Sequence, residues 1–131
     1  AEKGRGATLN GRQIRTSDTE KLSESLIVTG FPYNFKQRAD FTQHLTDFML
    51  YSRGIRRDGS AAIDMAYVAC GRFDGFWEEG LHPWDVAAGV LLIEEAGGRV
   101  SYYDDSPFSI YAPPICASNG LIHGEMLKVL R

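Results

Sequence analysis

The segment from Trp84 to Arg99 constrains the fold of this chain more than any other. It begins with Trp-Asp-Val-Ala-Ala-Gly and ends with Glu-Glu-Ala-Gly-Gly-Arg. Asp85 is suited to a helix start, where a carboxylate accepts backbone N–H bonds and meets the positive end of the helix. Gly97 and Gly98 predict the end of that helix, because glycine is favoured just past a helix C-terminus. The segment therefore predicts a helix that begins at Asp85 and leads into a strand at Arg99.

Strands and helices are predicted to alternate along the rest of the chain, after a hairpin whose turn is Asn10-Gly11. Strands are predicted at residues 25–29, 75–78, 99–103 and 115–118. Four helices are predicted, each with one buried face. In chain order, these faces are Phe41, Leu45, Phe48 and Met49 in the first helix; Ile63, Ala66, Tyr67 and Cys70 in the second; Val86, Val90 and Ile93 in the third; and Ile122, Met126, Val129 and Leu130 in the fourth. Asn119 is predicted to be the N-cap of the fourth helix. This alternation favours an α/β fold with a largely central sheet.

Composition and motif content exclude several classes of function. The 131 residues fit one domain, and a net charge of −3 leaves no general nucleic-acid footprint. Cys70 and Cys116 lie far apart without a CxxC pattern and are interpreted as reduced core residues. The sequence contains no G-x-S-x-G, Walker, dinucleotide-binding or zinc-ligand pattern, no membrane-spanning run and no signal peptide, so we expect a cytoplasmic protein.

The candidate site residues each have two interpretations. Asp85 is either a simple helix cap or a ligand for a divalent metal, since Mg²⁺ prefers oxygen ligands. Glu78 is either a solvated strand end or a carboxylate that crosses the following loop and accepts hydrogen bonds from substrate hydroxyls. His82 is more often polar surface than a ligand or base.

A second candidate is the segment Gly59-Ser60-Ala61, which is predicted to open a helix. Exposed N–H groups at a helix start suit anionic or polar ligands, although small residues there also allow close helix–sheet contact. Arg53, Arg56 and Arg57 precede it and are expected to form salt bridges, position the loop or steer an anionic substrate.

Several of these motifs together resemble one family, the inositol monophosphatases, and specifically the C-terminal half of its members. The resemblance covers essentially the whole chain, and the Trp-Asp motif with its trailing Ala-Gly-Gly is its most specific part. The matching segments are residues 4–11, 14–17, 56–62, 75–78, 84–89, 95–98 and 117–119.

The resemblance implies both a fold and an activity. The fold is a layered α/β/α/β/α sandwich with a central, mostly parallel sheet flanked by helices, in which residues 1–24 are a remnant hairpin of the N-terminal sheet and residues 25–131 form the C-terminal α/β domain. The activity is hydrolysis of phosphate monoesters with Mg²⁺, inhibited by lithium, in an enzyme that commonly forms a homodimer. Asp85 is then a magnesium ligand that also approaches a substrate hydroxyl, Glu78 binds the substrate ring, and Gly59, Ser60 and Ala61 line the same pocket.

One departure from the family pattern limits this expectation. The family's Asp-Pro-Ile/Leu-Asp-Gly-Thr motif, and the metal-binding Glu upstream of it, are absent from this sequence. Those residues supply most of the metal ligands and position the attacking water. We therefore expect the C-terminal portion of an inositol monophosphatase that is inactive alone. The alternatives are a phosphatase for a nucleotide, fructose bisphosphate or histidinol phosphate, and a non-catalytic module that dimerises or binds a protein or RNA.

Overall fold

The computed structural model describes residues 1–32, 39–111 and 114–131. A hairpin of β1 (Ala7–Leu9) and β2 (Arg12–Ile14) and a short 3-10 helix (Leu22–Glu24) precede the main α/β region. That region consists of β3 (Leu26–Thr29), α1 (Ala39–Tyr51), β4 (Gly54–Arg56), α2 (Ala61–Ala69), β5 (Gly75–Glu78), α3 (Pro83–Glu95), β6 (Arg99–Ser101), β7 (Ile115–Ser118) and α4 (His123–Leu130). Among the residues described, no helix is both long and apolar enough to cross a bilayer.

The five-stranded sheet is mixed, with strand order β4-β3-β5-β7-β6. β3 pairs in parallel with β4 and β5, whereas β7 runs antiparallel to both β5 and β6. Four strands therefore share one direction, as a mostly parallel sheet requires, and β7 alone runs against them. β6 and β7 follow each other in the chain, so they can pair antiparallel without the helical crossover that parallel neighbours need.

Each face of the sheet carries its own hydrophobic core. Neighbouring residues on a strand point to opposite faces, so Phe76 joins the core with α2 and α3 while Trp77 joins the core with α1 and α4. Val28 and Ile27 divide in the same way on β3. Ala7 of the hairpin belongs to the α2–α3 core, which places the hairpin against that helix layer. The layers are thus helix, sheet, helix and hairpin, and they confirm the predicted α/β class.

The structure corrects several local predictions. Met49 and Ile63 were expected to face inward but are 67% and 49% exposed. Helix α2 packs against both the sheet and α3. Its buried face therefore includes Met65 and Val68 and differs from the predicted face that begins at Ile63. The strand β4 was not predicted, since an edge strand of three residues leaves almost no periodic signal.

The last helix and the sixth strand also differ from their predicted bounds. Helix α4 begins at His123, four residues after the predicted cap. The N-cap of α4 is Ile122, so the prediction of Asn119 as the cap was wrong; Asn119 Oδ1 instead accepts hydrogen bonds from the backbone N–H groups of Leu121 and Ile122 at 3.0 and 3.2 Å, in the turn before the helix. β6 ends at Ser101 rather than at residue 103.

Helices α2 and α3 approach closely at a glycine. A Cβ added to Gly89 would lie 2.7 Å from both Cβ and Sδ of Met65, closer than carbon atoms in real structures come. The two helices therefore meet at a distance that only glycine allows on α3, and Met65 fills the space that results.

Replacing Gly89 by Ala is expected to destabilise the fold by about 1–3 kcal/mol through overpacking against Met65. Gly124→Ala is the matched control, since Gly124 also lies in a helix but a Cβ there meets nothing within 4 Å. That control should leave stability unchanged or raise it by up to about 1 kcal/mol. Urea denaturation of both variants measures the difference, and equal stabilities would contradict the close approach.

The N-terminal segment is attached to the end of α3 by one carboxylate. Glu95 accepts hydrogen bonds from the backbone N–H groups of Gly4 and Gly6, both at 2.8 Å. These bonds hold the pKa of Glu95 below its ordinary value, since they favour the ionised carboxylate. These bonds join the hairpin segment to the helix that carries Asp85 in its first turn. The predicted domain boundary after residue 24 stays a prediction.

His123 lies in a buried chain of hydrogen bonds between β6, β7 and α4. Its Nε2 is 2.9 Å from Ser101 Oγ and its Nδ1 is 2.9 Å from Ser118 Oγ. Ser101 Oγ already donates to the carbonyl of Tyr102, so Nε2 must carry the proton and donate to Ser101. Nδ1 then accepts from Ser118, and every donor in the chain has an acceptor. Burial, followed by the charge of Arg99, lowers the pKa of His123 to about 4.

This lowered pKa makes folding depend on pH in a defined direction. The folded protein holds His123 neutral. The contribution of His123 to the free energy of unfolding is therefore full above a pH of about 6.5 and is lost as the pH falls toward about 4. The loss should be on the order of 2–3 kcal/mol. We expect the stability difference between the wild type and His123→Gln to shrink over this range, measured by denaturation at several pH values.

Candidate active site

A cleft lies where three parallel strands end. β4, β3 and β5 run in one direction, so the segments that follow them meet at one edge of the sheet. Ligands of α/β sheets gather at this carboxyl edge. The cleft has a volume of about 500 Å³ and is lined by residues 30–32, 57, 59–62, 78–82 and 84–85. All five residues predicted to bind substrate or metal, namely Gly59, Ser60, Ala61, Glu78 and Asp85, therefore line a single cleft.

Asp85 both caps a helix and faces the cleft. It is the third residue of α3, and its Oδ2 accepts a hydrogen bond from the backbone N–H of His82 at 2.9 Å. Pro83, at the first position of the helix, suits a start where no N–H donor is needed. A carboxylate has about four lone-pair positions on two oxygens, so this bond leaves acceptor capacity for a ligand. The two interpretations of Asp85 are therefore compatible.

Glu78 is the last residue of β5 and is buried in the cleft wall. Its carboxylate lies directly against the backbone of Gly30, where an added Cβ would fall 2.1 Å from Oε1. Burial, then the negative charges of Asp64 and Asp85, raise the pKa of Glu78 to about 7, while Arg57 acts in the opposite direction. Glu78 is thus not the solvated strand end that one interpretation expected.

The acidic residue that sequence reasoning missed is Asp64. It is 0% exposed, and neither carboxylate oxygen has a hydrogen-bond partner among the residues described. Burial, followed by the charge of Asp58, raises its pKa to about 7, and Arg57 opposes this shift. The sequence contained one signal for Asp64, because it is the single acidic residue in the otherwise apolar stretch that forms α2.

The start of α2 forms another wall of the cleft. Gly59 has a φ of +89°, a conformation that L side chains rarely adopt, and Ser60 is the N-cap of the helix. Ala61 is the first helical residue, so the N-terminal end of the helix lies at the cleft as predicted. Direct contact of these three residues with a substrate stays a prediction.

Aromatic and basic side chains complete the cleft. The rings of His82 and Trp84 stack with centroids 4.6 Å apart, and the guanidinium of Arg57 lies 5.1 Å from the ring centre of Phe31. Of the three arginines singled out in the sequence, only Arg57 lines the cleft. It lowers the pKa values of both buried acids, so it offsets part of the negative charge.

The donor chemistry fits a divalent cation in part. Mg²⁺ is commonly held by one or two carboxylates together with water and substrate phosphate oxygens, and Asp85 and Glu78 are donors of this kind. Burial is the largest cause of the raised pKa values of Glu78 and Asp64, and neighbouring carboxylates add to it. However, residues 1–32, 39–111 and 114–131 contain no group of three or more His, Cys, Asp or Glu side chains able to hold a metal ion. Further donors are needed for a complete site.

Comparison with known proteins identifies the family. The family model described as the inositol monophosphatase family matches residues 1–131. This chain belongs to the inositol monophosphatase family. Inositol-1-monophosphatase of Synechocystis is 48% identical over 132 residues, which cover 95% of the chain and 44% of that relative. The Nus factor SuhB of Pseudomonas aeruginosa is 46% identical and is covered over 49% of its length.

A solved structure of the family shows the same fold. Inositol monophosphatase from Anabaena matches with a TM-score of 0.89 and 49% identity, over 97% of this chain and 51% of that structure. The chain therefore spans about half the length of the inositol monophosphatases that it matches. The expected resemblance to one half of the family is confirmed, and the family fold extends through the cleft described above.

Mg²⁺ is expected to lower the pKa of Glu78, because a cation near the carboxylate favours its ionised form. The titration of ¹³C-labelled glutamate carboxyls, followed by NMR with and without Mg²⁺, measures this directly. In Asp85→Asn the Glu78 pKa should fall even without metal, since one negative charge is gone, and the response to Mg²⁺ should be lost. The exposed Glu94 of the same helix serves as the internal control. An unchanged Glu78 titration on adding Mg²⁺ would contradict the binding of a cation beside Glu78.

Proposed function

We propose that this chain is the C-terminal portion of a magnesium-dependent phosphomonoesterase that hydrolyses inositol monophosphate with metal-activated water. The observation that carries the proposal is the convergence of Asp85, Glu78 and the start of α2 on one cleft at the carboxyl edge of the sheet. The names of the Synechocystis and Anabaena relatives support inositol monophosphate as the substrate.

Each group has a distinct role in this proposal. Asp85 holds Mg²⁺ through the carboxylate lone pairs that its hydrogen bond to the backbone N–H of His82 does not use. When bound, Mg²⁺ supplies polarisation of the phosphate ester and a more acidic water. Glu78 accepts hydrogen bonds from ring hydroxyls of the substrate, and Gly59, Ser60 and Ala61 line the pocket partly through backbone atoms. Arg57 attracts the anionic substrate to a cleft whose carboxylates would otherwise repel it.

We further propose that the chain is inactive alone. The described residues contain no group of three or more His, Cys, Asp or Glu side chains that could complete the oxygen coordination of Mg²⁺ and position water. Lithium sensitivity, a homodimer in the full-length protein and a cytoplasmic location rest on the family resemblance only. A nucleotide, fructose bisphosphate or histidinol phosphate remains the alternative substrate.

A non-catalytic role is the second candidate function. It is favoured by the incomplete metal ligand set and by the name Nus factor carried by the Pseudomonas aeruginosa relative. The two candidates differ in whether the cleft binds a phosphate monoester in a manner that depends on Asp85 and Mg²⁺.

Calorimetric titration of the chain with inositol 1-phosphate in excess Mg²⁺ tests the proposal. Asp85→Asn should weaken binding about tenfold or more, which corresponds to about 1.4 kcal/mol. Glu94→Gln removes a carboxylate from the same helix away from the cleft and should bind like the wild type. Equal affinities of the wild type and Asp85→Asn would favour the non-catalytic role.

Phosphate release from the same substrate tests whether the chain is inactive alone. We expect no release above the protein-free background. Release that a chelator abolishes would show that the described residues suffice for catalysis, and the proposed need for further ligands would be wrong.

A further inference from the structure

The dipeptide Asn-Gly occurs twice in this chain, and the fold places the two copies in opposite environments. Asn10 and Gly11 form the exposed turn between β1 and β2, whereas Asn119 follows β7 and is buried. Asparagine is a chemically labile residue, and a following glycine has no side chain to hinder close approach to its backbone nitrogen. One chemical reaction can therefore be compared at two sites of the same molecule.

The reacting groups of the second copy are held by the fold. The side-chain Nδ2 of Asn119 donates to the carbonyl of Thr19 at 2.7 Å, and its Oδ1 accepts two backbone N–H bonds. The backbone N–H of Gly120 donates to Ser118 Oγ at 3.0 Å. Neither the amide nor the glycine nitrogen can move without breaking these buried bonds, so this copy is protected.

The first copy has no such restraint. Within residues 1–32, 39–111 and 114–131, no hydrogen bond reaches the Asn10 side chain or leaves the Gly11 N–H. Both residues are exposed, and a Cβ added to Gly11 would meet nothing within 4 Å. The amide carbon of Asn10 is thus open to water and to the neighbouring nitrogen.

The turn that carries the first copy also opens easily. Asn10 and Gly11 have φ values of 53° and 78°, and the chain must leave this turn conformation before the Gly11 nitrogen reaches the side chain. The hairpin is a two-stranded sheet with three residues in each strand, and a sheet of this kind is marginally stable. Its buried residue, Ala7, lies at the end away from the turn. Opening at the turn therefore costs far less than opening the core around Asn119.

We propose that Asn10 is a site of spontaneous modification, at which the backbone nitrogen of Gly11 attacks the side-chain carbonyl carbon of Asn10. The new N–C bond closes a succinimide ring. The side-chain nitrogen leaves as ammonia and takes the proton of the Gly11 N–H with it. Water then opens the ring at either carbonyl, which gives aspartate or isoaspartate at position 10 without oxidation or reduction.

The two products have different consequences for the hairpin. Aspartate keeps the turn, because Asp-Gly also favours a type I′ hairpin, and adds one negative charge to the chain. That carboxylate lies at a cavity of about 280 Å³ that Asn10 shares with Arg72. Isoaspartate instead directs the chain through the side-chain CH₂, so the backbone becomes longer at the turn. The pairing of Leu9 with Arg12 across the turn is then lost.

Peptide mapping of the incubated chain tests the proposal. Trypsin releases Asn10 in the peptide 6–12 and Asn119 in the peptide 100–128. At mildly alkaline pH, the folded chain should convert the first peptide to acidic forms at least about tenfold faster than the second. In urea that unfolds the chain, the two peptides should react at similar rates. Equal rates in the folded chain would overturn the proposal, as would an unmodified peptide 6–12 when the reaction proceeds in urea.

Three variants separate the chemistry from the opening of the hairpin. Asn10→Gly keeps a residue suited to the turn but has no side-chain amide, so its peptide 6–12 should stay unmodified. Glu95→Ala removes the bonds to the backbone of Gly4 and Gly6 and should accelerate the reaction at Asn10. Glu94→Ala, at the exposed neighbouring glutamate, is the matched control and should react like the wild type. A rate that is unchanged in Glu95→Ala would show that opening of the hairpin does not control the reaction, contrary to the proposal.

Discussion

The contact between the Glu78 carboxylate and the backbone of Gly30 is the constraint on which the rest of the site depends. It joins the ends of two neighbouring parallel strands, and it exists only because residue 30 has no Cβ. Trp77, the residue before Glu78, is buried in the opposite core and fixes the end of β5. The acid is therefore held in the cleft wall by the packing of the whole sheet. A carboxylate on a mobile loop could not be held in such a buried position.

The charge balance of the cleft follows from that placement. Burial raises the pKa values of both Glu78 and Asp64 to about 7, with a further contribution from the charges of Asp64 and Asp85 at Glu78 and from the charge of Asp58 at Asp64. Groups with raised pKa values stabilise the fold least when they are ionised, so these two acids favour folding at low pH and oppose it as the pH rises past their usual values. A cation bound beside them would reverse this penalty. The protein thus sacrifices stability at the position where we propose that a cation binds.

Local sequence patterns predicted the parts of the fold that depend on neighbours in the chain. The stop at Gly97-Gly98 and the strand at β5 follow from residues within a few positions, and the helix predicted to begin at Asp85 begins two residues earlier, at Pro83. The inward face of α2 could not be predicted in this way, because it is decided by Gly89 on another helix. Local reasoning also could not decide between cap and ligand for Asp85. In the structure the cap bond uses one oxygen, and the cleft is formed by strands distant in sequence.

Helix α3 connects the cleft to the hairpin. Its first turn carries Asp85, and its last residue, Glu95, holds the backbone of Gly4 and Gly6. Asp85 and Glu95 are ten residues apart on α3, so at about 1.5 Å per residue the helix holds them about 15 Å apart along its axis. The family resemblance implies that the hairpin belongs to a larger sheet. Any strand added to the hairpin would then be fixed in position relative to Asp85 through α3, without a direct contact at the cleft. Helix α3 therefore fixes the position of the Glu95 carboxylate relative to the Asp85 carboxylate.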